Sequence, residues 1–330
     1  MQVQKRISRR SVLATGLAAG LCGLGLSSEV QAGSYPDRPI EIVVPVVPGG
    51  GTDVLARAFA STAQKHFPGY SFVVVNKPGA SGAIGFNDVI RAKPDGYKIA
   101  LIITELAVLP NLGTVRFAAS DLKPIAQLNA DPSAITVGAD APWKNLDEFV
   151  AAARKPGALL TIGDSGVGSL WHLAAAAFAD QAGIHVSHVP FMGAAPAVMA
   201  LLSGQIDAVA VSPAEVSPYV ATGKLRTLAI MSDQRAEGIF KDVPTLKEQG
   251  VPLSIGAWRG LAAPKETPQA VVDVLADIVK TVMADKEFQQ SMKKVELGLS
   301  YLNQTAYTAK IDQQSSYFGQ LISKLKISVK

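Results

Sequence analysis

Two glycine-rich segments hold the residues of this chain that are best suited to binding chemistry. The first glycine loop, residues 48–53, reads Pro-Gly-Gly-Gly-Thr-Asp, and the second glycine loop, residues 163–169, reads Gly-Asp-Ser-Gly-Val-Gly-Ser. Each follows a strand-like run and precedes a helix-like run. The first N–H groups of a helix have no intrahelical acceptor and lie at the positive end of its dipole. Because glycine lets a ligand approach the backbone, the two loops predict one anion clamp for carboxylates or phosphates.

The elements around the loops indicate an α/β protein. Apolar runs rich in β-branched residues alternate with Ala-rich runs, which predicts parallel sheets with helices on both faces. The predicted strands are 40–44, 72–75, 99–103, 135–137, 159–162, 186–189, 206–211 and 225–230, and the predicted helices are 53–66, 83–92, 146–154, 169–181 and 194–203.

A chain that begins at Gly33 has about 298 residues, which exceeds what one hydrophobic core comfortably fills. The α/β rhythm breaks near 130–133 and again near 255–261. Three helical stretches follow, at 268–283, 286–295 and 305–325, and they are expected to pack on the first domain. We therefore predict a first lobe from 33–132, a second lobe from 133–254, a return to the first lobe over 255–330, and a cleft between the lobes.

The first 32 residues have the pattern of an export signal. Four cations between positions 5 and 10 precede an uncharged stretch over 11–28, and small residues at 30–32 suit cleavage near Ala32. The segment Ser-Arg-Arg-Ser-Val-Leu at 8–13 is close to a twin-arginine signal, with the general secretory route as the alternative. A membrane anchor is disfavoured because the apolar run is interrupted by glycines and shorter than about 20 residues. We expect a periplasmic mature protein.

Charge and cysteine content exclude several kinds of site. Cys22 is the only cysteine and lies inside the signal, so the mature chain would have no disulfide, cysteine nucleophile or thiolate metal site. Residues 1–32 contain four cations and one acid and so account for most of the formal charge of +4. The rest of the chain is nearly neutral and so lacks the excess of basic residues that is typical of nucleic-acid-binding proteins.

From Tyr35 to Lys330 the sequence resembles the extracytoplasmic receptors of tripartite tricarboxylate transporters, also called Bug receptors. The resemblance rests on an opening Tyr-Pro-Asp-Arg-Pro-Ile segment at 35–40, on the two glycine loops, and on the order and spacing of further motifs. These further motifs lie at 76–82, 94–97, 189–194, 204–207, 223–226 and 242–246.

The resemblance implies a periplasmic-binding-protein type II fold (a Venus flytrap), with two α/β lobes joined by two crossover segments. It implies a monomeric protein without catalysis, cofactor or metal that closes on a small molecule, usually an organic acid, for delivery to a permease. Backbone amides of the two loops would hold a ligand carboxylate. The implied contacts are Gly49, Gly50, Gly51, Thr52, Asp53 and Thr104 in the first lobe, and Asp164, Ser165, Gly166, Gly168, Ser169, Met192, Gly193, Ala194 and Asp207 in the second.

Two of these positions depart from the family pattern. Asp164 stands where a small neutral residue is expected, and Met192 stands where the family often has Lys. Each change makes the charge at its position one unit more negative than the family pattern. If the two side chains face the cleft, a monocarboxylate, an amino-bearing acid or a neutral amide is favoured over a highly anionic ligand such as citrate. The argument lapses if Asp164 points to solvent.

Several assignments have structural alternatives. Residues 49–51 could form only a tight turn, Asp53 could bind only backbone N–H groups at its helix start, Thr104 could be a strand end, and Asp207 could be a turn residue. The pair 258–259, Trp-Arg, is expected to serve as hinge packing with a solvated charge.

The histidines are expected to be structural. His172, His185 and His188 are scattered along a helix and a strand, with no carboxylate at metal-ligand spacing. No metal site is therefore predicted.

The sequence offers three alternatives to solute capture for transport: a sensory receptor, a serine protease and a nicotinamide-dependent oxidoreductase. A flytrap receptor that signals to a membrane sensor kinase would have the same sequence features. Gly-Asp-Ser-Gly at 163–166 looks like a serine-protease nucleophile segment, but it joins a strand to a helix, whereas those enzymes are all-β. Residues 79–85 suggest a dinucleotide loop but lack two required glycines, which leaves a nicotinamide-dependent oxidoreductase as a distant alternative.

Overall fold

A computed structural model describes residues 35–328, and the predicted export signal lies outside this range. The strands are β1 Ile40–Val44, β2 Phe72–Asn76, β3 Lys98–Ile103, β4 Leu122–Gly138, β5 Leu160–Asp164, β6 Val186–Pro190, β7 Ala208–Val211, β8 Leu225–Met231, β9 Gly256–Pro264 and β10 Leu299–Leu302. The helices are α1 Gly51–His66, α2 Ala83–Ile90, α3 Glu105–Val108, α4 Leu146–Ala153, α5 Leu170–Ala182, α6 Ala194–Leu202, α7 Pro213–Ala221, α8 Gln269–Ala284, α9 Lys286–Lys294 and α10 Gln304–Leu325.

The strands form a mixed sheet in the order β2-β1-β3-β9-β4-β7-β5-β6, with β8 and β10 also paired to β4. The pairs β1–β2, β1–β3, β5–β6 and β5–β7 are parallel. The prediction of wholly parallel sheets is wrong at the centre, where β9 runs antiparallel to β3 and β4, and β4 runs antiparallel to β7 and β8. The alternation of strands and helices predicts parallel pairing correctly only for neighbouring strands that are connected through a helix.

Strand β4 links two groups of pairings. Its first part pairs with β9, from Leu122 opposite Pro264 to Pro132 opposite Gly256, and its last part pairs with β7 and β8. The predicted three-residue strand at 135–137 is thus the end of a strand of 17 residues. The boundary predicted near 132 falls where the partners of β4 change, and the lobe limits themselves stay predictions.

Helix α5, which begins at the second glycine loop, is largely buried. Ten of its residues are buried, and six of these ten are alanines. Their small side chains let the helix lie close to β5 and β6. The predicted helices are confirmed to within two residues. Helix α7 was missed because Pro218 inside it hides the helical pattern. Within residues 35–328, no helix combines the length and apolar character needed to cross a membrane.

Candidate ligand-binding site

The first glycine loop leads from β1 into α1. Gly49 has a φ of +93°, which glycine adopts without strain. Gly50 is the N-cap residue in extended conformation, and no side chain in the described part of the chain caps the helix. A Cβ atom built on either glycine would meet no atom of the described residues within 4 Å. The loop therefore combines an uncapped helix N-terminus with open space in front of it, which is the arrangement that suits an anion.

Asp53 shapes this loop from inside α1. Its Oδ2 accepts from the Gly49 amide and from Arg57 Nε, each at 3.0 Å, and its Oδ1 accepts from Asn76 Nδ2 at 2.8 Å. Burial alone would raise the pKa of this carboxyl, but the three hydrogen bonds and the Arg57 charge outweigh burial and hold the pKa below its ordinary value. The carboxylate is thus charged and engaged with protein donors that fix the loop.

Arg259 occupies the interior next to the first glycine loop. Its Nε donates to the Thr52 hydroxyl at 2.9 Å, and its Nη1 donates to Asn129 and Asp131 on β4. The side chain is 6% exposed, so the expectation of a solvated charge is wrong. Trp258 is buried against Tyr307, as expected of packing. A lone arginine within the apolar run of β9 was the available signal for a buried ion pair.

The segment after β3 reaches the second glycine loop. The Thr104 hydroxyl is buried and engaged with the backbone of Trp258, accepting from its N–H at 2.9 Å and donating to its carbonyl at 3.4 Å. The next residue, Glu105, accepts through Oε1 from the Leu170 amide at 3.4 Å. Burial raises the pKa of Glu105, and the Leu170 amide and the Arg259 charge oppose that rise only in part. This contact brings α3 to the start of α5.

The second glycine loop is closed by hydrogen bonds of its own. Gly166, at φ +119°, donates its amide to Asp164 Oδ1 at 2.8 Å, and Gly168, at φ +76°, donates its amide to His172 Nδ1 at 3.0 Å. Ser169 is the N-cap of α5, where its Oγ accepts from the His172 amide at 3.2 Å. A carboxylate that binds the glycine amides therefore has to compete with internal acceptors, while the Ser169 hydroxyl keeps its proton to donate.

Asp164 points into the protein. The residue is fully buried, and its Oδ2 has no hydrogen-bond partner among the described residues. Burial raises its pKa to about 7, and the hydrogen bond from the Gly166 amide opposes this rise. The Asp164 side chain therefore does not point to solvent, which is the orientation in which the argument from its charge would lapse. The adjacent Ser165 is half-buried.

Asp164 lies in one cluster with two of the histidines. One ligand-type atom from each of Asp164, His172 and His188 lies within 4.8 Å of the other two, and the imidazole rings meet edge to face at 4.9 Å between centroids. Burial, with the neighbouring His188, lowers the pKa of His172 to about 4. In the sequence no carboxylate stands at metal-ligand spacing from these histidines, but in the fold Asp164 lies beside two of them, because β-sheet pairing joins positions that are remote in sequence.

The remaining predicted contacts lie at the ends of β6 and β7. Gly193, at φ +123°, precedes Ala194 at the start of α6, and no side chain within residues 35–328 caps this helix. Met192 is 97% exposed. Asp207 accepts through Oδ2 from the amide and hydroxyl of Thr161 at 2.8 and 2.7 Å, and so fixes the start of β7 against β5.

Comparison with known proteins identifies relatives of this fold. Residues 55–327 match a family model described as the tripartite tricarboxylate transporter family receptor. The chain is 34% identical over 303 residues to the "UPF0065 protein in gbd 5'region" of Cupriavidus necator, which covers 91% of this chain and 92% of that protein. A TctC solute-binding protein from Polaromonas is 49% identical, with a TM-score of 0.74 over 88% of this chain and 99% of its own. The periplasmic binding protein BugD is 31% identical, with a TM-score of 0.79 over 89% of this chain and 99% of its own.

Two solved structures with ligands share the fold at 24% identity. R. palustris Rpa4515 was solved with adipate and has a TM-score of 0.81 over 89% of this chain and 99% of its own. MatC of Rhodopseudomonas palustris was solved with bound malate and has a TM-score of 0.75 over 87% of this chain and 100% of its own. These neighbours and the mixed α/β architecture confirm the type II periplasmic-binding-protein class, and the matched family is one of solute-binding receptors, not of enzymes.

Proposed function

The chain belongs to the tripartite tricarboxylate transporter receptor family, a family of periplasmic solute-binding proteins, and from this premise we propose the following function. The protein captures a small organic acid, or a related carboxylate-bearing molecule, between its two glycine loops. It then delivers this molecule to a tripartite tricarboxylate-type permease. Residues 1–32 direct the chain to the periplasm and are removed near Ala32.

The observation that carries the proposal is the open, uncapped start of α1. Among residues 35–328, no side chain caps the helix, and nothing lies within 4 Å of a Cβ atom built on Gly49 or Gly50. A carboxylate in that space would receive N–H groups at the positive end of the helix dipole. Thr52 lies at the same helix start and is held by Arg259, so the loop is preorganised before the ligand arrives.

The second loop completes the clamp from α5. Glu105 contacts the Leu170 amide, which keeps α5 beside the element that follows β3. The Ser169 hydroxyl is available as a donor to a ligand oxygen. Because Gly166 and Gly168 already donate to acceptors inside the loop, their amides contribute to binding only after those bonds open.

The ligand class follows from family and charge. The structures of Rpa4515 and MatC contain adipate and malate, which are small dicarboxylates. In this chain Asp164 is buried at the second loop, and Met192 offers no cation. Residues 163–169 contain no cation to pair with a third carboxylate, so we favour a ligand with one carboxylate, or with an amino group beside it, over a tricarboxylate.

The experiment is native mass spectrometry of freshly purified protein, followed by a thermal-shift screen of mono-, di- and tricarboxylates and amino acids. A retained small acid, and a thermal shift with acids of the same class, would support the proposal. The absence of a shift with every acid, together with binding of a nicotinamide nucleotide, would contradict it.

Measuring uptake of the identified acid by cells distinguishes a transport receptor from a sensory receptor. In cells that lack the gene, uptake of the identified acid should fall and should return with the wild-type gene. A receptor for a sensor kinase would instead leave uptake unchanged and abolish the transcriptional response to the acid.

A further inference from the structure

We propose that Asp164, His172 and His188 form a binding site for a divalent transition-metal ion such as Zn²⁺. Two imidazoles and one carboxylate are a donor set that such ions accept, with a further coordination position left open. The proposal concerns a second ligand of the protein and does not depend on which solute the glycine loops capture.

The sheet and α5 bring the three side chains together. His188 on β6 pairs with Ile162 on β5, and Asp164 lies two residues further along β5, so both side chains point to the same face of the sheet. Helix α5 contacts β5 and β6, and His172 lies in its first turn. The three ligand-type atoms lie within 4.8 Å of one another as a result.

Two polar atoms of this cluster have no partner among the described residues. Asp164 Oδ2 and His188 Nδ1 are both buried and accept or donate no hydrogen bond. Asp164 itself is fully buried. Buried polar atoms are nearly always satisfied, and a metal ion would satisfy this carboxylate oxygen and this imidazole nitrogen together.

The cluster has to contract to bind the ion. With bonds of about 2.0–2.1 Å, the donor atoms of a tetrahedral zinc site lie roughly 3.4 Å apart. The present separations of up to 4.8 Å require shifts of about 1 Å, which side-chain rotation can supply.

Metal binding would also change the second glycine loop. The Gly168 amide now donates to His172 Nδ1 at 3.0 Å. An ion on Nδ1 would displace this amide, and an ion on Nε2 would move the ring proton to Nδ1, which could then no longer accept. In either geometry the Gly168 amide loses its acceptor and becomes available to an anion.

The test is calorimetric titration of the protein with Zn²⁺, after removal of any histidine tag and treatment with EDTA, with Co²⁺ absorption as a second probe. We expect one equivalent of Zn²⁺ to bind. Asp164→Asn and His188→Gln should each weaken binding by more than about 10-fold, since even outer-shell changes cost metal sites that much. The amide signal of Gly168 in a ¹H–¹⁵N spectrum should shift with the same stoichiometry.

The matched control is His185→Gln, which removes an exposed imidazole outside the cluster and should bind Zn²⁺ like the wild type. Circular dichroism on each variant separates loss of the ligand from loss of the fold. Absence of Zn²⁺ binding to the folded wild type, or binding to folded Asp164→Asn and His188→Gln as tight as to the wild type, would overturn the proposal. Neither result would exclude capture of an organic acid, which the thermal-shift screen tests by itself.

Discussion

Arg259 donates from Nε to the Thr52 hydroxyl at 2.9 Å, which ties the buried strand β9 to the first turn of α1. The same guanidinium donates to Asn129 and Asp131 on the neighbouring strand β4. The first glycine loop is thus fixed to the centre of the sheet, where β4 and β9 run together. A helix start held in this way does not have to be ordered by the ligand, so more of the binding free energy appears as affinity.

We expect Arg259→Met to destabilise the protein by about 3–5 kcal/mol, because it leaves the carboxylate of Asp131 buried without its cation. The free energy of unfolding would be measured by urea denaturation. The double variant Arg259→Met/Asp131→Asn should recover part of this loss, since the uncompensated charge is gone.

The control is Arg38→Met, which breaks the exposed pair of Arg38 with Asp95 and should cost about 1 kcal/mol or less. Equal stabilities of Arg38→Met and Arg259→Met would show that the buried network does not stabilise the fold as argued.

Local sequence signals were sufficient to predict the two glycine loops and the strands and helices that flank them. Glycine-rich segments between a β-branched run and an alanine-rich run predicted both strand-to-helix turns. These features depend on neighbours within a few residues, where propensity and capping act.

The contacts that complete the site are not local. Arg259 and Asp131 are 128 residues apart, and Glu105 and Leu170 are 65 apart, so no spacing rule could join them. Likewise, Asp164 meets His188 only because β5 and β6 are neighbours in a register that one sequence does not reveal. The antiparallel position of β9 between β3 and β4 also depends on contacts between remote parts of the chain, so local patterns did not predict it.

Ser169→Ala is expected to have two separable effects. Loss of the cap of α5 should cost about 1 kcal/mol of stability. Loss of the hydroxyl donor should weaken binding of the acid found in the screen by a further factor of about 5 to 30, equivalent to about 1–2 kcal/mol. Urea denaturation and calorimetric titration measure the two effects independently.

Asn145→Ala is the matched control for this prediction. Asn145 caps α4 by accepting from the Glu148 amide, so its loss should cost a similar stability without affecting binding. If Asn145→Ala and Ser169→Ala change affinity equally, the effect on binding comes from stability, and Ser169 is not a ligand contact.

Asp164 and His172 are expected to make opposite contributions to the pH dependence of stability in the metal-free protein. The pKa of Asp164 is raised from 3.8 to about 7, so the folded state retains a proton in this window and stability falls as pH rises. The pKa of His172 is lowered from 6.5 to about 4, so the unfolded state binds the extra proton and stability rises with pH. The two contributions largely cancel between about pH 4 and 6.5.

Single variants should expose each contribution. Relative to wild type, Asp164→Asn should gain stability as pH rises from about 4.5 to 6.5, and His172→Gln should lose stability over the same interval, each by roughly 1.4 kcal/mol per pH unit. Urea denaturation in the presence of EDTA gives the comparison. Profiles parallel to that of the wild type would mean that neither group titrates with a shifted pKa.

Gly50→Val provides the sharpest test of the first glycine loop. Gly50 has φ −79° and ψ 170°, a region open to any residue, and a Cβ atom there would meet no atom within 4 Å. The variant should therefore fold with nearly wild-type stability. Its branched side chain would occupy the space in front of the α1 amides, and we expect the affinity for the captured acid to fall by at least about 10-fold in calorimetric titration.

Gly69→Val is the matched control, because Gly69 is exposed and also has no atom within 4 Å of a Cβ atom built on it. The same change at Gly49 or Gly168 would confuse the result, since both have φ in the left-handed region and a valine there would strain the backbone. Full affinity in a folded Gly50→Val variant would remove the first glycine loop from the binding site. A loss in Gly50→Val with unchanged binding in Gly69→Val would assign the carboxylate to the start of α1, since the two variants differ only in where the added side chain stands.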